Sequence, residues 1–272
     1  FRMSGPAVPF GTFSWLVLST SEMAGAVAFY RRLFGWLAVP MPPNTLMVQD
    51  GKPVAILIDH AKSPILQDPK VKKEPVNWLP YVRVGSVDRV LQRAVSAGGS
   101  VLIPPLDVDL ARMAVIRGAT GEAVGLWQTP AKEGGDTALM DRETCAWFEL
   151  VTPDPERAMP FYRAVFGWRI ADEGGYTFIG NETGQFGGVV KLEGDWEDHA
   201  FLAAIGRVSG NKLKVPPHWM VFFRVDDCDS FVDAAENLGA QVTGRPEPLH
   251  TVGTFAVIRD PQGVYFSVLS AR

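Results

Sequence analysis

The chain has 272 residues, 47% hydrophobic and 21% charged, with a net charge of −4. That length suits about two domains, and that balance suits a globular protein with enough apolar mass for real cores. No basic stripe marks a nucleic-acid partner, and no apolar run approaches the roughly 18 residues of a membrane span.

Phe1 and Arg2 precede Met3 and read as additions ahead of a natural start. No basic region followed by an apolar run follows, so no signal peptide is expected. Cys145 and Cys228 lack CxxC spacing. They argue for a reducing cytoplasm and against a disulfide or zinc framework.

In chain order, residues 13–20 read as a strand. Over 22–34, Ala26, Phe29, Tyr30, Leu33 and Phe34 fall at helical spacing, and Gly35 stops the helix. Apolar runs near 36–40, 45–49 and 53–59 read as three strands divided by Pro and Asp-Gly turns. The order then recurs: a strand at about 76–84, Ser86 as helix cap, Val87, Val90, Leu91, Ala94 and Val95 on one face, Gly98 as stop. Strands near 100–103, 112–117 and 123–128 close this module. Residues 130–143, polar and carrying Gly134–Gly135, read as a linker.

The second half predicts a strand over 145–151, a helix near 154–166 and three strands to 192. Pro160 falls in the second turn of that helix and predicts a kink or a delayed start. A strand over 218–225, Asp227 as cap, a helix to Leu238 and three strands to 269 follow. The stretch 191–219 is longer than its first-half counterpart and reads as a surface loop or an excursion toward a partner or pocket.

The halves are duplicates. "FYRRLFGW" (29–36) returns as "FYRAVFGW" (161–168), an offset of 132 residues that also pairs Trp15 with Trp147 and Leu18 with Leu150. At an offset of 141, Trp78 pairs with Trp219 and Arg83 with Arg224. "MAVIRGATG" (113–121) then matches "FAVIRDPQG" (255–263). Order and repeat together give βαβββ four times.

Four such modules, with "VTPDPERAMPFYRAVFGW" and "VIRDPQGVYFSVL", resemble the vicinal oxygen chelate superfamily, which includes glyoxalase I, bleomycin resistance proteins and extradiol dioxygenases. The tandem arrangement is most similar to its paired-domain hydroxylase- or lyase-like members. The resemblance implies an α+β fold in which four βαβββ modules form two tandem glyoxalase/bleomycin-resistance-like domains with curved mixed sheets. The first domain would span 10–130, the linker 131–143 and the second domain 144–272.

The resemblance also implies a metal held by His, Gln or Glu inside a cup made by two modules. In this sequence those positions fall at Trp147, Met220 and Ser267 in the second half, and at Trp15, Leu79 and Gly125 in the first. None supplies an imidazole or carboxylate, so both cups are expected to be metal-free, without a cofactor. A register slip of one residue does not restore a ligand at Met220 or Ser267.

Trp15 and Trp147 either pack in the core or floor the cups, where an aromatic face stacks on a flat ligand. Tyr81, Trp127, Met220, Phe222 and Ser267 complete the expected ligand-binding set, whereas Trp78 and Trp219 are expected to face the helices. Glu149 shares a strand face with Trp147, and its first-half counterpart is Val17. A carboxylate in an apolar cup is a candidate general base with a raised pKa, or else half of an ion pair with Arg224. His60, His199, His218 and His250 match no ligand position and read as surface or turn residues. Gly187–Gly188 leave room for a ligand or for sheet curvature.

The expected function is binding of a small organic molecule in an aromatic-lined cup, with the second cup favoured. The alternatives are a metal-independent lyase or hydroxylase-like enzyme using Glu149 as base, and a metal-dependent lyase or extradiol dioxygenase. A cytoplasmic monomer or homodimer is expected.

Overall fold

The computed structural model describes residues 9–72, 74, 76–108, 111–129, 143–192, 216–242, 246–249 and 253–271. The linker expectation at 130–142, most of the 191–219 stretch, His199 and His250 lie outside them.

The first half runs β1 (Phe13–Thr20), α1 (Met23–Phe34), β2 (Leu37–Met41), β3 (Asn44–Gln49), β4 (Lys52–Asp59), β5 (Trp78–Arg83), α2 (Val87–Ser96), β6 (Ser100–Val108), β7 (Ala111–Arg117) and β8 (Ala123–Gln128). The second runs β9 (Cys145–Thr152), α3 (Pro155–Phe166), β10 (Arg169–Glu173), β11 (Tyr176–Asn181), β12 (Gly184–Lys191), β13 (His218–Arg224), α4 (Cys228–Asn237), β14 (Gln241–Val242), β15 (Glu247–Leu249), β16 (Gly253–Arg259) and β17 (Tyr265–Ala271). Among the described residues no helix is long and apolar enough to cross a membrane.

Local chemistry sets the helix ends. Glu22 and Asp154 cap α1 and α3 by accepting the backbone N–H of Gly25 and Arg157. Gly35 and Gly167 close them at φ 74°, a left-handed conformation that favours glycine. Pro160 neither delays nor interrupts α3, which starts at Pro155. Lying so near the N-terminus, it removes one bond to a first-turn carbonyl and leaves the rest of the helix intact.

Each half forms one mixed sheet, ordered β2-β3-β4-β1-β5-β8-β7-β6 and β10-β11-β12-β9-β13-β17-β16-β14, with β15 also on β16. The modules join through the antiparallel pairs β1–β5 and β9–β13. Two strands differ from expectation. β6 continues through Pro104–Pro105 to Val108 with two register shifts, because an edge strand tolerates residues that cannot donate to a ladder. In its second-half counterpart the described residues form β14 and β15, both paired with β16.

One apolar core takes the helix-facing side of both sheets and the four helices of the described residues, and the phenyl rings of Phe13 and Phe148 stack at 4.0 Å within it. Trp78 and Trp219 lie there, as their alternation with cup-facing neighbours requires. The duplicated octapeptide stitches the halves together crosswise. Tyr30 donates to Asp260 at 2.8 Å and Tyr162 to Glu122 at 2.7 Å. The Trp36 indole donates to the Glu143 carbonyl and that of Trp168 to the Gly11 carbonyl.

The second-half "DPQG" has become "GATG" in the first half, yet the carboxyl is kept. A Cβ on Gly118 would lie 2.0 Å from the Glu122 carboxylate, so Glu122 fills the space an aspartate would take. The faces away from the helices are two separate cups, each with its own apolar cluster.

Candidate functional site

In the first cup, alternation along β1, β5 and β8 brings Trp15, Val17, Leu79, Tyr81, Gly125 and Trp127 to one face. Trp15 and Trp127 stack with centroids 5.1 Å apart and planes at 0°, and Tyr81 meets Trp127 edge-on at 6.1 Å and 83°. Gly125 makes this possible: a Cβ there would lie 2.1 Å from the Tyr81 ring. Burial pushes the Tyr81 phenol far up, so it stays neutral.

Two contiguous cavities open over this floor. One, of about 510 Å³, is bounded by Trp15, Trp127, Tyr81, Leu46, Ile56 and the Pro42–Pro43 turn. The other, of about 270 Å³, shares Val17, Asn44, Ile58 and Tyr81 with it and reaches His60, Glu74, Arg117 and Pro216–His218. The first end is apolar; the second carries the polar groups. Asn44 Oδ1, His60 Nδ1 and Trp127 Nε1 are buried without a partner and line these walls. Glu74 and Arg117 neutralise each other in a close ion pair.

Sequence reasoning placed neither His60 nor His218 at a cavity. Both were expected as surface or turn residues, and both line the polar end of the first cup. Neither occupies a family ligand position, and His218 belongs to the other half of the chain, so no local pattern could have placed it there. The expectation favoured the second cup for the ligand; the two cavities described above lie in the first.

In the second cup, Trp147, Glu149 and Val151 on β9 face Met220 and Phe222 on β13, with Ser267 and Leu269 on β17 beyond. Glu149 is 3% exposed. Its Oε2 accepts from Tyr176 OH at 2.6 Å and from Trp147 Nε1 at 3.0 Å, and its Oε1 has no partner. Gly188 lets Tyr176 reach it, since a Cβ there would lie 1.8 Å from the Tyr176 hydroxyl. Gly188 thus serves a side chain of the protein, whereas a Cβ on Gly187 would meet the Phe148 backbone carbonyl at 2.3 Å. Burial raises the Glu149 pKa to about 7, against the pull of its two donors.

The alternative ion pair with Arg224 does not form. Arg224 ends β13 with its side chain exposed and its backbone bonded to Thr144, whereas Glu149 lies opposite Met220 further along. Ser267 is buried, and its hydroxyl has no partner.

The six positions where the family resemblance places metal ligands hold Trp15, Leu79, Gly125, Trp147, Met220 and Ser267. Leu79 lines the first cavity and Met220 the second apolar cluster, so the register is the expected one. These side chains do not fit a divalent cation, which needs imidazole or anionic oxygen donors converging on one point. Glu149 is the carboxylate nearest to such a role, and its neighbours are indole, phenol, thioether and phenyl groups. Among the described residues no group of three His, Cys, Asp or Glu side chains could hold a metal.

A family model described as Glyoxalase/Bleomycin resistance protein/Dioxygenase superfamily matches residues 144–268. "Putative glyoxylase CFP32" of Mycobacterium tuberculosis is 37% identical over 265 residues, covering 95% of this chain and 94% of that protein. "Anthracycline biosynthesis protein DauV" of Streptomyces sp. strain C5 is 34% identical over 274 residues, covering 96% and 94%. Among solved structures, the Mn(II)-bound glyoxalase from Novosphingobium aromaticivorans aligns with a TM-score of 0.64 at 15% identity, covering 96% of this chain and 82% of that one. A 2,2',3-trihydroxybiphenyl 1,2-dioxygenase from Sphingomonas wittichii aligns at 0.59 and 13%, covering 97% and 91%. Likeness at that identity is one of fold.

Proposed function

Because the chain belongs to the glyoxalase/bleomycin resistance protein/dioxygenase superfamily, yet carries no fitting ligand set among the described residues of either cup, we propose that it binds a flat aromatic small molecule in the first cup without a metal. One observation carries this reading: the parallel Trp15–Trp127 stack floors a cavity with one apolar and one polar end. A ligand ring extends such a stack at little entropic cost, because the indoles are already held. The walls of the apolar end carry no charged group. Two relatives named as anthracycline biosynthesis proteins support a polycyclic aromatic ligand class.

The test is a tryptophan-fluorescence titration with 2-hydroxyanthraquinone, a rigid three-ring probe. Saturable quenching that weakens in Trp127→Leu supports the reading. Absence of quenching, or equal quenching in the variant, refutes it.

A second reading has its own observation. Glu149 keeps one buried oxygen unpartnered and titrates near neutrality, as a general base must. In this reading the second cup performs a proton abstraction, as a metal-independent lyase or hydroxylase-like enzyme, with Tyr176 and Trp147 orienting the carboxylate. Glu149→Gln would then abolish conversion of a bound compound, followed by mass spectrometry, while leaving its binding intact.

A further inference from the structure

The polar end of the first cup is completed by the other half of the chain. Pro216, Pro217 and His218 line the same cavity as His60, Glu74 and Arg117. His218 starts β13, a strand of the second sheet, and next to this junction Thr152 of β9 bonds Thr120 of the β7–β8 turn at 2.9 Å. The two halves are therefore fixed to each other where the cavity ends.

The His218 ring is held in one tautomer. Its Nδ1 lies 2.9 Å from the Pro216 carbonyl oxygen, which can only accept, so Nδ1 carries the proton. Burial lowers the ring's pKa, so it is neutral at physiological pH and Nε2 offers a lone pair. Among the described residues, the remaining polar groups lining this end carry no free charge. The Glu74 carboxylate and the Arg117 guanidinium bond each other, and Arg117 also bonds the Gly121 carbonyl. His60 Nδ1 is buried and unpartnered. Such an end suits a neutral hydroxyl and rejects an anion or a cation, which would find no opposite charge free.

We infer that His218 Nε2 is the hydrogen-bond acceptor for a hydroxyl group of the ligand in the first cup, so that a residue of the second half sets specificity in the first. This rests on the first-cup reading above and deepens it by naming the substituent recognised.

The experiment compares 2-hydroxyanthraquinone with 2-methoxyanthraquinone by fluorescence titration, at a pH where the phenol is protonated. Wild type is expected to prefer the hydroxyl compound about tenfold, the effect of one well-made buried hydrogen bond. His218→Asn keeps an N–H for the Pro216 carbonyl but places nothing at Nε2, so the preference should fall below about twofold. His218→Gln, whose longer amide reaches the Nε2 position, should keep most of it. Should the Asn variant not fold, His218→Leu lacks the acceptor equally and carries the same expectation. An unchanged preference in the acceptor-less variant overturns the assignment, as does equal affinity of wild type for the two probes. If Trp127→Leu still weakens both probes, the first-cup reading survives that failure. If wild type binds neither probe, both fall together.

Discussion

Tyr176 donates to Glu149 Oε2 at 2.6 Å, and it reaches there because residue 188 has no side chain. The first half has no such pair: Val17 stands where Glu149 does, and the cup holds two stacked indoles instead. One duplicated frame thus carries two different interiors, one apolar with a polar end, the other with a buried carboxyl group.

That carboxyl makes stability depend on pH. Its folded-state pKa, about 7, lies above the ordinary value of 4.5. Between these values the folded chain holds a proton that the unfolded chain has lost, so stability falls as pH rises through this window and levels off above it. Glu149→Gln removes the dependence. Urea unfolding should show variant and wild type equal near pH 4 and the variant more stable above pH 7, by up to about 3 kcal/mol. Parallel pH profiles would mean that Glu149 titrates normally.

Gly188→Ala should break the Tyr176 contact with Glu149 and, with it, the bond from Trp147 Nε1 to the Tyr176 hydroxyl. A Cβ would collide with the Tyr176 hydroxyl, so the ring must swing away at a cost of about 1–3 kcal/mol. Loss of that donor removes a pull that lowers the Glu149 pKa, which should rise further. The pH dependence of unfolding reads this as a window extended to higher pH than in wild type.

Tyr162→Phe and Tyr30→Phe should both destabilise, and unequally. Each strands a buried carboxylate oxygen and a tryptophan N–H, those of Trp219 and Trp78, at about 1–3 kcal/mol per group. Asp260 keeps two backbone donors, from Gln262 and Val264, whereas Glu122 keeps one hydroxyl, from Thr120. Tyr162→Phe should therefore lower the urea midpoint more. The reverse order would contradict the assigned networks.

Trp127→Leu places in the first cup the residue that the second has at position 269. It deletes one face of the indole stack, and Trp127 Nε1 has no partner to strand. The expected cost is about 2 kcal/mol of stability from lost burial, measured by thermal unfolding. Ligand affinity should fall at least as steeply.

Much of the fold was legible because it is written twice. Helix spacing in "FYRRLFGW" and "FYRAVFGW", the Ser86 and Asp227 caps and the alternation of Trp147 with Phe148 each fix a local choice that the sheet then repeats. Pro160 and Pro104–Pro105 misled because their effect depends on position in a helix or sheet, which tertiary context decides. The cup-facing positions Trp15, Trp147, Met220 and Ser267 came from the family resemblance, and period-two alternation is consistent with them. The partners of Glu149 did not, since Tyr176 comes from another strand and reaches it only through a missing Cβ. His218 was invisible for a related reason: it lines a cavity of the other half, and sequence distance says nothing about that approach.

The most direct measurement is the affinity of 2-hydroxyanthraquinone for the purified protein with and without excess EDTA. A cup that works by stacking and one hydroxyl contact should give the same dissociation constant in both buffers, and added Mn(II) or Zn(II) should leave it unchanged. Loss of binding in EDTA, restored by a divalent metal, would contradict the account at its root.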